Sequence, residues 1–466
     1  MKPILKKAHK CADAIKKQKE VLIVSHIDAD GLTAAGIICK ALDRINIDYI
    51  PIFLKQLDNY ALEKIADINP ELVIFTDLGS GYLDEITNKN LNAVIIDHHQ
   101  PVTKPKEIKY HLNPMNFGYN GSLEISGSGT TFLLSLELGE NRDLADLAIV
   151  GAVGDLQAIK EGKLIGLNRE ILEIGVKANI LEYKKDLSLF GKQTRPVYKL
   201  LQYSTDPYLP GLTGDEDGSI EFLRRAGIEL KGERWKRWID LEPEEKQRVV
   251  SELINYGLNI NMPPYKVQRL VSECYILLRE REGTELRDAS EYATLLNATA
   301  RYDKAEVGLA VCLGEREEVY EYARTLLAEH RRNLVDGLNY VKEKGITELN
   351  NLQYFDAGNK IRETIVGIVA GMSTSIIGNR NLPIIAFANS ENGIKVSARG
   401  NQDLIKRGLN LAEALNKSAN KVGGAGGGHD IAAGATIPFG SKDEFIKELD
   451  KIIGRQLGVK VCLAQW

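Results

Sequence analysis

The stretch Val94-Ile95-Ile96-Asp97-His98-His99-Gln100-Pro101 limits the folds open to this chain more than any other. Three β-branched apolar residues run into an acid and two adjacent imidazoles, and Pro101 then breaks the backbone. A short continuous apolar run predicts a strand buried on both faces, the kind found in parallel sheets covered by helices. Open parallel sheets place their chemistry at C-terminal strand ends, so Asp97, His98 and His99 stand where a site is expected. Successive strand side chains point to opposite faces, so both histidines enter one site only if the strand has already ended. Pro101 predicts that ending. A His-His pair taken alone is more often a satisfied pair in a loop, so its weight depends on the rest of the chain.

The same pattern recurs. Val21 to Val24 leads into Ser25-His26-Ile27-Asp28-Ala29-Asp30-Gly31, and Leu72 to Thr76 ends at Asp77. A strand at Tyr49 to Leu54 and helices at Lys6 to Lys19, Leu32 to Arg44, Ala61 to Ala66 and Leu83 to Asn88 complete an alternation. It predicts a doubly wound parallel sheet with several acids at one edge. Further on, Ser126-Gly127-Ser128-Gly129-Thr130 opens a helix to about Leu138, whose free N–H groups either bind an anion or are simply capped. Leu144 to Gln157 reads as a buried helix with Asp155 near its end, where an unpaired carboxylate is costly.

From about residue 190 to 285 the sheet signal vanishes. Ile220 to Arg225, Trp235 to Ile239 and Pro243 to Asn255 read as short amphipathic helices, an inserted module. Its Arg and Lys residues interleave with Phe222, Trp235 and Trp238, which suits single-strand binding or, more commonly, a solvated face over packed tryptophans. A long helix, Glu315 to Lys344, then precedes a second α/β pattern. It has a helix at Ile361 to Ile377, a strand at Leu382 to Ala388, a turn at Glu391-Asn392-Gly393, and a returning strand Ile394 to Arg399 with Lys395, Ser397 and Arg399 on one face. A helix at Leu404 to Asn416, a glycine loop at Gly423 to His429 and a strand at Ala432 to Ile437 follow. Bare backbone N–H groups at Gly426, Gly427 and Gly428 suit a phosphate, with His429 and Arg399 beside it.

The chain's 466 residues exceed one typical core, so domains at 1–190, 191–285 and 286–466 are expected. A formal net charge of -4 excludes a uniformly basic nucleic-acid coat but not a basic groove. The five cysteines, at positions 11, 39, 274, 312 and 462, are scattered and suit reduced thiols in a cytoplasmic protein. The most apolar long window, Leu144 to Ile159, contains Asp146 and Asp155, so no membrane association is expected.

The first domain can thus present His26, Asp28, Asp30, Asp77, Asp97, His98, His99 and Asp155 at one edge. Two divalent cations need six or more protein donors, and an oxygen-rich set with imidazoles suits manganese, or magnesium, better than zinc. Two ions roughly 3.5–4 Å apart serve an in-line displacement at phosphorus. The chain has no GxxxxGK[ST] loop and no GxSxG elbow, which argues against a P-loop NTPase and a serine hydrolase.

The segment from Ser25 to Gly31, Asp77, Asp97-His98-His99 and Gly154-Asp155 resemble the four motifs of the DHH phosphoesterase superfamily. Val396 to Gly400 and Gly426 to His429 resemble its C-terminal DHHA1 domain. With a helical insert between, the chain resembles the archaeal RecJ-like exonucleases, which include the nuclease associated with the GINS replication complex. The resemblance implies a DHH catalytic domain, an insert, and a connector helix with a substrate-binding DHHA1 domain. It implies that His26 and Asp28 serve one metal, that Asp30, His98 and Asp155 serve a second, and that Asp77 bridges. Asp97 would orient an imidazole and His99 would contact the scissile phosphate. Ser397, Arg399, the three glycines and His429 would hold single-stranded DNA or RNA, with GINS as a possible partner. Manganese-dependent pyrophosphatases of the superfamily carry a histidine four residues before the first motif aspartate, where this chain has Val24. Phosphodiesterases for short oligonucleotides or cyclic dinucleotides, and a replisome scaffold like the RecJ-related helicase subunit, are the alternatives.

Overall fold

The computed structural model describes residues 2–101, 109–204 and 207–458. The chain divides into two compact units, residues 1–327 and 328–466. In the first, strands β1 (Glu20–His26), β2 (Asp48–Leu54), β3 (Val73–Thr76), β4 (Ala93–Ile96) and β5 (His111–Leu112) form a sheet of order β2-β1-β3-β4-β5. Every pairing is parallel. Strand alternation sorts the apolar residues between two cores. Ile23, Ile74, Val94 and Ile96 enter the larger one, whereas Val24, Val73, Phe75 and Ile95 enter the smaller. Helices cover both faces, so no residue of β3 or β4 reaches water.

Chain direction across the sheet reverses between β1 and β3, and the crevice at such a switch point opens at the strands' C-terminal ends. Ser25 and Thr76, paired in register at those ends, share a 2.8 Å hydroxyl hydrogen bond. Ser25 also donates to the Gly31 carbonyl at 2.8 Å, which ties the following loop down. The first helix spans Lys2–Ile15, earlier than expected, because Lys16–Lys19 form the turn into β1.

Two further strands, β6 (Leu181–Leu187) and β7 (Val271–Leu277), pair antiparallel from Leu181↔Leu277 to Leu187↔Val271. The sequence reading has no strand here. In β6 only the terminal leucines are buried, so the segment lacks the apolar run that marks a strand. Between them the chain builds a separate core around Leu223, Trp238, Val249 and Leu253. The expected helix at Trp235 to Ile239 is a single 3₁₀ turn, Trp238–Asp240. Trp238 is buried and donates to Asp186 at 3.0 Å, while Trp235 packs on Tyr198. Arg225, Arg234, Lys236 and Arg237 pair with acids, so this is the solvated face over packed tryptophans rather than an open basic groove.

The second unit is built on a mixed sheet of order β12-β13-β11-β10-β9-β8. Its strands are β8 (Thr347–Glu348), β9 (Gln353–Asp356), β10 (Ile384–Ser390), β11 (Gly393–Arg399), β12 (Ala425–Gly428) and β13 (Ala432–Ile437). Two sequence expectations fail here. The glycine run is not a loop, because Ala425–Gly428 pairs with β13 as an edge strand. The helix expected at Leu404 to Asn416 breaks into Gln402–Lys406 and Leu411–Lys421, since Gly408 adopts a φ of 104°.

Cys11, Cys39, Cys274 and Cys312 are buried free thiols, and Cys462 lies outside the described residues. Among the described residues no helix is long and apolar enough to cross a membrane.

His111 in β5 is buried, and burial lowers its pKa to about 4. The unfolded chain therefore takes up a proton between pH 6.5 and 4 that the folded chain refuses. The neutral ring's full contribution is present above pH 6.5, declines as pH falls through that window, and is gone below it. The expected loss is roughly 3 kcal/mol. Urea unfolding across this range should show that slope, and His111→Gln should flatten it.

Candidate metal centre

Strand ends and helix starts converge at the switch point. β1 delivers His26, and Asp28 then caps the helix Ala29–Asp43 by accepting the Gly31 N–H at 3.0 Å. Asp30 lies in that helix's first turn and is 2 % exposed. Its two oxygens accept the N–H groups of Gly127 and Ser128 at 2.7 and 2.9 Å. These are the free amides of the Gly127–Leu138 helix, so the anion they bind is the protein's own carboxylate. Ser126 caps the same helix through Gly129 N–H at 3.1 Å.

Asp77 follows β3 with a left-handed φ of 60°. A Cβ at Gly127 would lie 2.4 Å from Asp77 Oδ1, and one at Gly151 would lie 2.4 Å from Asp30 Oδ1. Only glycine admits the carboxylates at these two points. Asp155 is the C-cap of the helix Ala145–Gly154, and the next residue, Leu156, closes the helix with φ 61°. Leu156 N–H bonds to Val153 O and Gln157 N–H to Ala152 O, the Schellman pattern that usually employs glycine.

Beyond β4 the chain leaves strand geometry, so His98 and His99 both turn inward. Asp97 is saturated: Oδ1 accepts His98 N–H, His99 N–H and His99 Nδ1 at 2.8, 3.1 and 2.8 Å, and Oδ2 accepts Ser80 N–H at 2.8 Å. His98 Nδ1 lies 2.7 Å from the Gly121 carbonyl, which fixes the proton there and turns the Nε2 lone pair inward. That Nε2 is 3.1 Å from Asp77 Oδ1 and 3.7 Å from Asp30 Oδ2.

Three overlapping groups result: His26, Asp28 and Asp77; Asp30, His98 and Asp155; and Asp77, His98 and His99. Within each, one ligand atom per residue lies within 4.8 Å of the others. The structure thus brings together seven of the eight sequence-predicted residues of this edge as candidate donors, and the eighth, Asp97, joins them through His99. His26 Nδ1 and Asp77 Oδ1 are buried without a hydrogen-bond partner, although His26 Nδ1 stands 3.1 Å from Asp28 Oδ1. Buried orphans among carboxylates and imidazoles are the donor set a hard divalent cation fits.

The electrostatics agree. Burial, then the neighbouring Asp77 charge, raises Asp30 to about 7, and burial raises Asp155 to about 6. His26 is raised to about 11, because the Asp28 and Asp77 carboxylates outweigh burial. His98 is raised well above its usual value, with burial again outweighed, here by Asp77. Against the same opposition from burial, the Asp97 hydrogen bond lifts His99 to about 9. Asp28 and Asp97 are held far below the carboxylate range, with their imidazole partners prevailing over burial.

The sequence reading missed the supports. Gln157 Nε2 donates to Asp155 at 2.8 Å and to the Gly121 carbonyl at 2.8 Å, so one buried amide links the Asp155 and His98 supports. Asn168 holds that amide's oxygen at 2.6 Å, and Asn297 accepts the Ala29 N–H at 3.0 Å. No local pattern singles out these residues.

In the second unit, Ser397 and Arg399 lie on the β11 face opposite Val396 and Ala398, which enter the core. A Cβ at Gly367 would lie 2.5 Å from Arg399 Nη2 and 3.1 Å from Ser397 Oγ, so the helix Val366–Ile376 closes over them. Across the sheet Ser397 pairs with Gly434, and Gly434 with Gly427, a glycine track between β11 and the β12 edge with Lys395 Nζ 3.7 Å from where a Cβ of Gly434 would stand. Gly426 and Gly428 flank that track, and His429 is exposed just beyond it.

Comparison with known proteins places this geometry. Residues 20–152 match the DHH family N-terminal domain, 189–271 the DHH-CID domain and 350–455 the DHHA1 domain. An uncharacterised protein of Methanocaldococcus jannaschii is 34% identical over 464 residues, 97% of this chain and 99% of that protein. The single-stranded-DNA-specific exonuclease RecJ of Bacillus subtilis is 28% identical over 279 residues. That match covers 56% of this chain but 35% of RecJ, so the chain spans about a third of that relative. In fold, the chain resembles Thermus thermophilus RecJ in complex with Mn2+, at TM-score 0.61 and 17% identity, over 98% of this chain and 55% of that one. It also resembles CDC45 from Entamoeba histolytica, at TM-score 0.66 and 12% identity, over 95% and 97%. Fold and family together are those of a superfamily of metal-dependent phosphoesterases and nucleases. The chain belongs to the RecJ-like DHH/DHHA1 superfamily.

Gln157→Leu removes the hydrogen bonds to Asp155 and to the Gly121 carbonyl, which then keeps only His98 Nδ1. Calorimetric titration with Mn2+ should show affinity reduced by roughly 10–100-fold, with the circular dichroism spectrum unchanged.

Proposed function

We propose that the protein is an exonuclease that hydrolyses phosphodiester bonds of single-stranded DNA or RNA in replication or repair. The observation that carries the reading is the pair of donor clusters, His26–Asp28–Asp77 and Asp30–His98–Asp155, adjoining at Asp77, whose Oδ2 lies 3.4 Å from His26 Nδ1 and whose buried Oδ1 lies 3.1 Å from His98 Nε2. Each cluster would hold one divalent cation, with Asp77 a donor available to both. Mn2+ suits the mixed carboxylate and imidazole donors, and Mg2+ the carboxylates. Bound there, such a pair supplies charge stabilisation and a nucleophile at neutral pH for in-line displacement at phosphorus.

The chain's own residues do the rest. Asp97 fixes the His99 ring through Nδ1 and leaves Nε2, on a half-exposed side chain, for the scissile phosphate. Asp30 is anchored by two backbone amides and Asp155 by Gln157, so both carboxylates keep their orientation as protons leave them. Ser397, Arg399 and His429 hold the nucleic-acid backbone, with Gly426, Gly427 and Gly428 offering an edge without side chains. A GINS-type replication complex is the proposed partner, supported by the sequence resemblance.

Asp77→Asn should lower manganese-stimulated release of mononucleotides from end-labelled single strands by at least about 10³-fold, some 4 kcal/mol of barrier. The fold should persist by circular dichroism, and wild-type turnover in this variant defeats the reading. Arg399→Ala should raise KM by roughly 10–100-fold, as for a lost charge-assisted hydrogen bond, and change kcat by less. Running both assays on DNA and RNA labelled at either end also gives the polarity and the preferred sugar.

A further inference from the structure

A cavity of about 730 Å³ opens in the first unit beside the segment that leaves the metal centre. Val153 and Leu156, which flank Asp155 in sequence, form part of its wall. The left-handed turn at Leu156 therefore separates the carboxylate cluster from this second space. The opposite wall comes from the β6–β7 ribbon and from Tyr265 and Arg269 of the insert. Its volume falls within the range of pockets that enclose small organic ligands.

Two features make it more than a crevice. Lys192 and Asp288 line it, 6 % and 2 % exposed, with Nζ and Oδ2 3.6 Å apart. Asp288 Oδ2 has no hydrogen-bond partner, although Asp288 Oδ1 accepts from Ser290 N–H at 2.9 Å. A buried donor and acceptor stand side by side with capacity left over, and each natural nucleobase has an edge with a neighbouring acceptor and donor. Around the cavity, Lys160, Lys163 and Lys185 are exposed and make no ion pair among the described residues. Of the acids there, Glu273 is taken up by Arg169 at 2.6 Å. The half-buried Tyr265 adds an aromatic wall on which a base can stack.

We propose that this cavity is a nucleotide-binding subsite, with the base edge on Lys192 and Asp288 and the phosphate at Lys160, Lys163 and Lys185. The nucleotide comes either from solution, as a monophosphate, or from a strand bound to the protein. The strand source rests on the nuclease reading, whereas the free nucleotide does not.

The test is calorimetric titration of the full chain in EDTA, so that no strand is cleaved. The probes are the four nucleoside 5′-monophosphates and a 12-nucleotide single-stranded DNA. The exposed-lysine variant Lys163→Ala/Lys185→Ala should bind at least one probe tenfold or more weakly than wild type, and Tyr265→Ala should weaken the same probe. Lys6→Ala/Lys10→Ala, which removes equal charge elsewhere, should stay within twofold. Loss for the monophosphates identifies a free nucleotide, and loss for the oligonucleotide alone identifies the strand. Absence of binding by wild type, unchanged affinity in the Lys163/Lys185 variant, or an equal loss in the Lys6/Lys10 control overturns the subsite. These titrations read binding in EDTA without turnover, so failure of the nuclease assay and failure of the subsite are separate results.

Discussion

Repulsion among carboxylates is the constraint on which the first unit depends. Asp28, Asp30, Asp77, Asp97 and Asp155 gather at the ends of three adjoining strands and two helices. At about 4 Å and an effective dielectric near 20, one pair of like charges costs roughly 4 kcal/mol, so the group cannot stay ionised without compensation. The fold supplies some of it. Asp30 takes two helix N-terminal amides, Asp28 caps its own helix, and Asp97 gathers three amides and an imidazole. Asp30 and Asp155, disfavoured as anions first by burial and then by the Asp77 charge, are pushed up to about 7 and 6. A site balanced this near to protonation at neutral pH has cations as its natural complement.

Topology explains why the charges meet at all. Asp28 and Asp77 meet because β1 and β3 leave the sheet side by side at its switch point, and Asp155 joins them at the end of the helix Ala145–Gly154. Glycine then sets how closely the helices approach. Gly127 and Gly151 stand where a methyl group would strike Asp77 and Asp30. The small-residue run before Asp155 thus serves approach to the carboxylates, and helix propensity is given up there for proximity.

Much of this was legible from residue order. Strands buried on both faces declare themselves as unbroken apolar runs, and an acid at the end of each run marks the rim. His26, Asp28, Asp77, Asp97, His98 and His99 could be named because parallel strands place their ends side by side, and Asp155 because a carboxylate at the end of a buried helix needs a reason. The ribbon could not be read, since β6 shows just two leucines to the core and its pairing is set by β7, far along the chain. The glycine run misled for a related reason. Glycine weakens a strand signal, yet Gly427 faces Gly434 in an antiparallel pair held by the β13 partner. The break at Gly408 needed the left-handed backbone to be seen. Gln157 and Gly121 carry their roles through contacts formed only in the folded chain, and nothing in their own neighbourhoods announces it.

Hydrogen bonding separates the acids by role better than proximity does. Asp97 and Asp77 are both nearly inaccessible, at 1 % and 2 % exposure, and both follow buried strands. Asp97 has filled its oxygens with N–H donors, so coordinating a cation would mean giving up bonds the backbone already supplies. Asp77 retains an oxygen with no donor, facing the lone pair of His98 Nε2 at 3.1 Å. Two acceptors that close repel unless a cation or a proton lies between them. The unfilled valence at Asp77, set against the filled one at Asp97, supports the proposal that the first serves a metal and the second holds His99 in place.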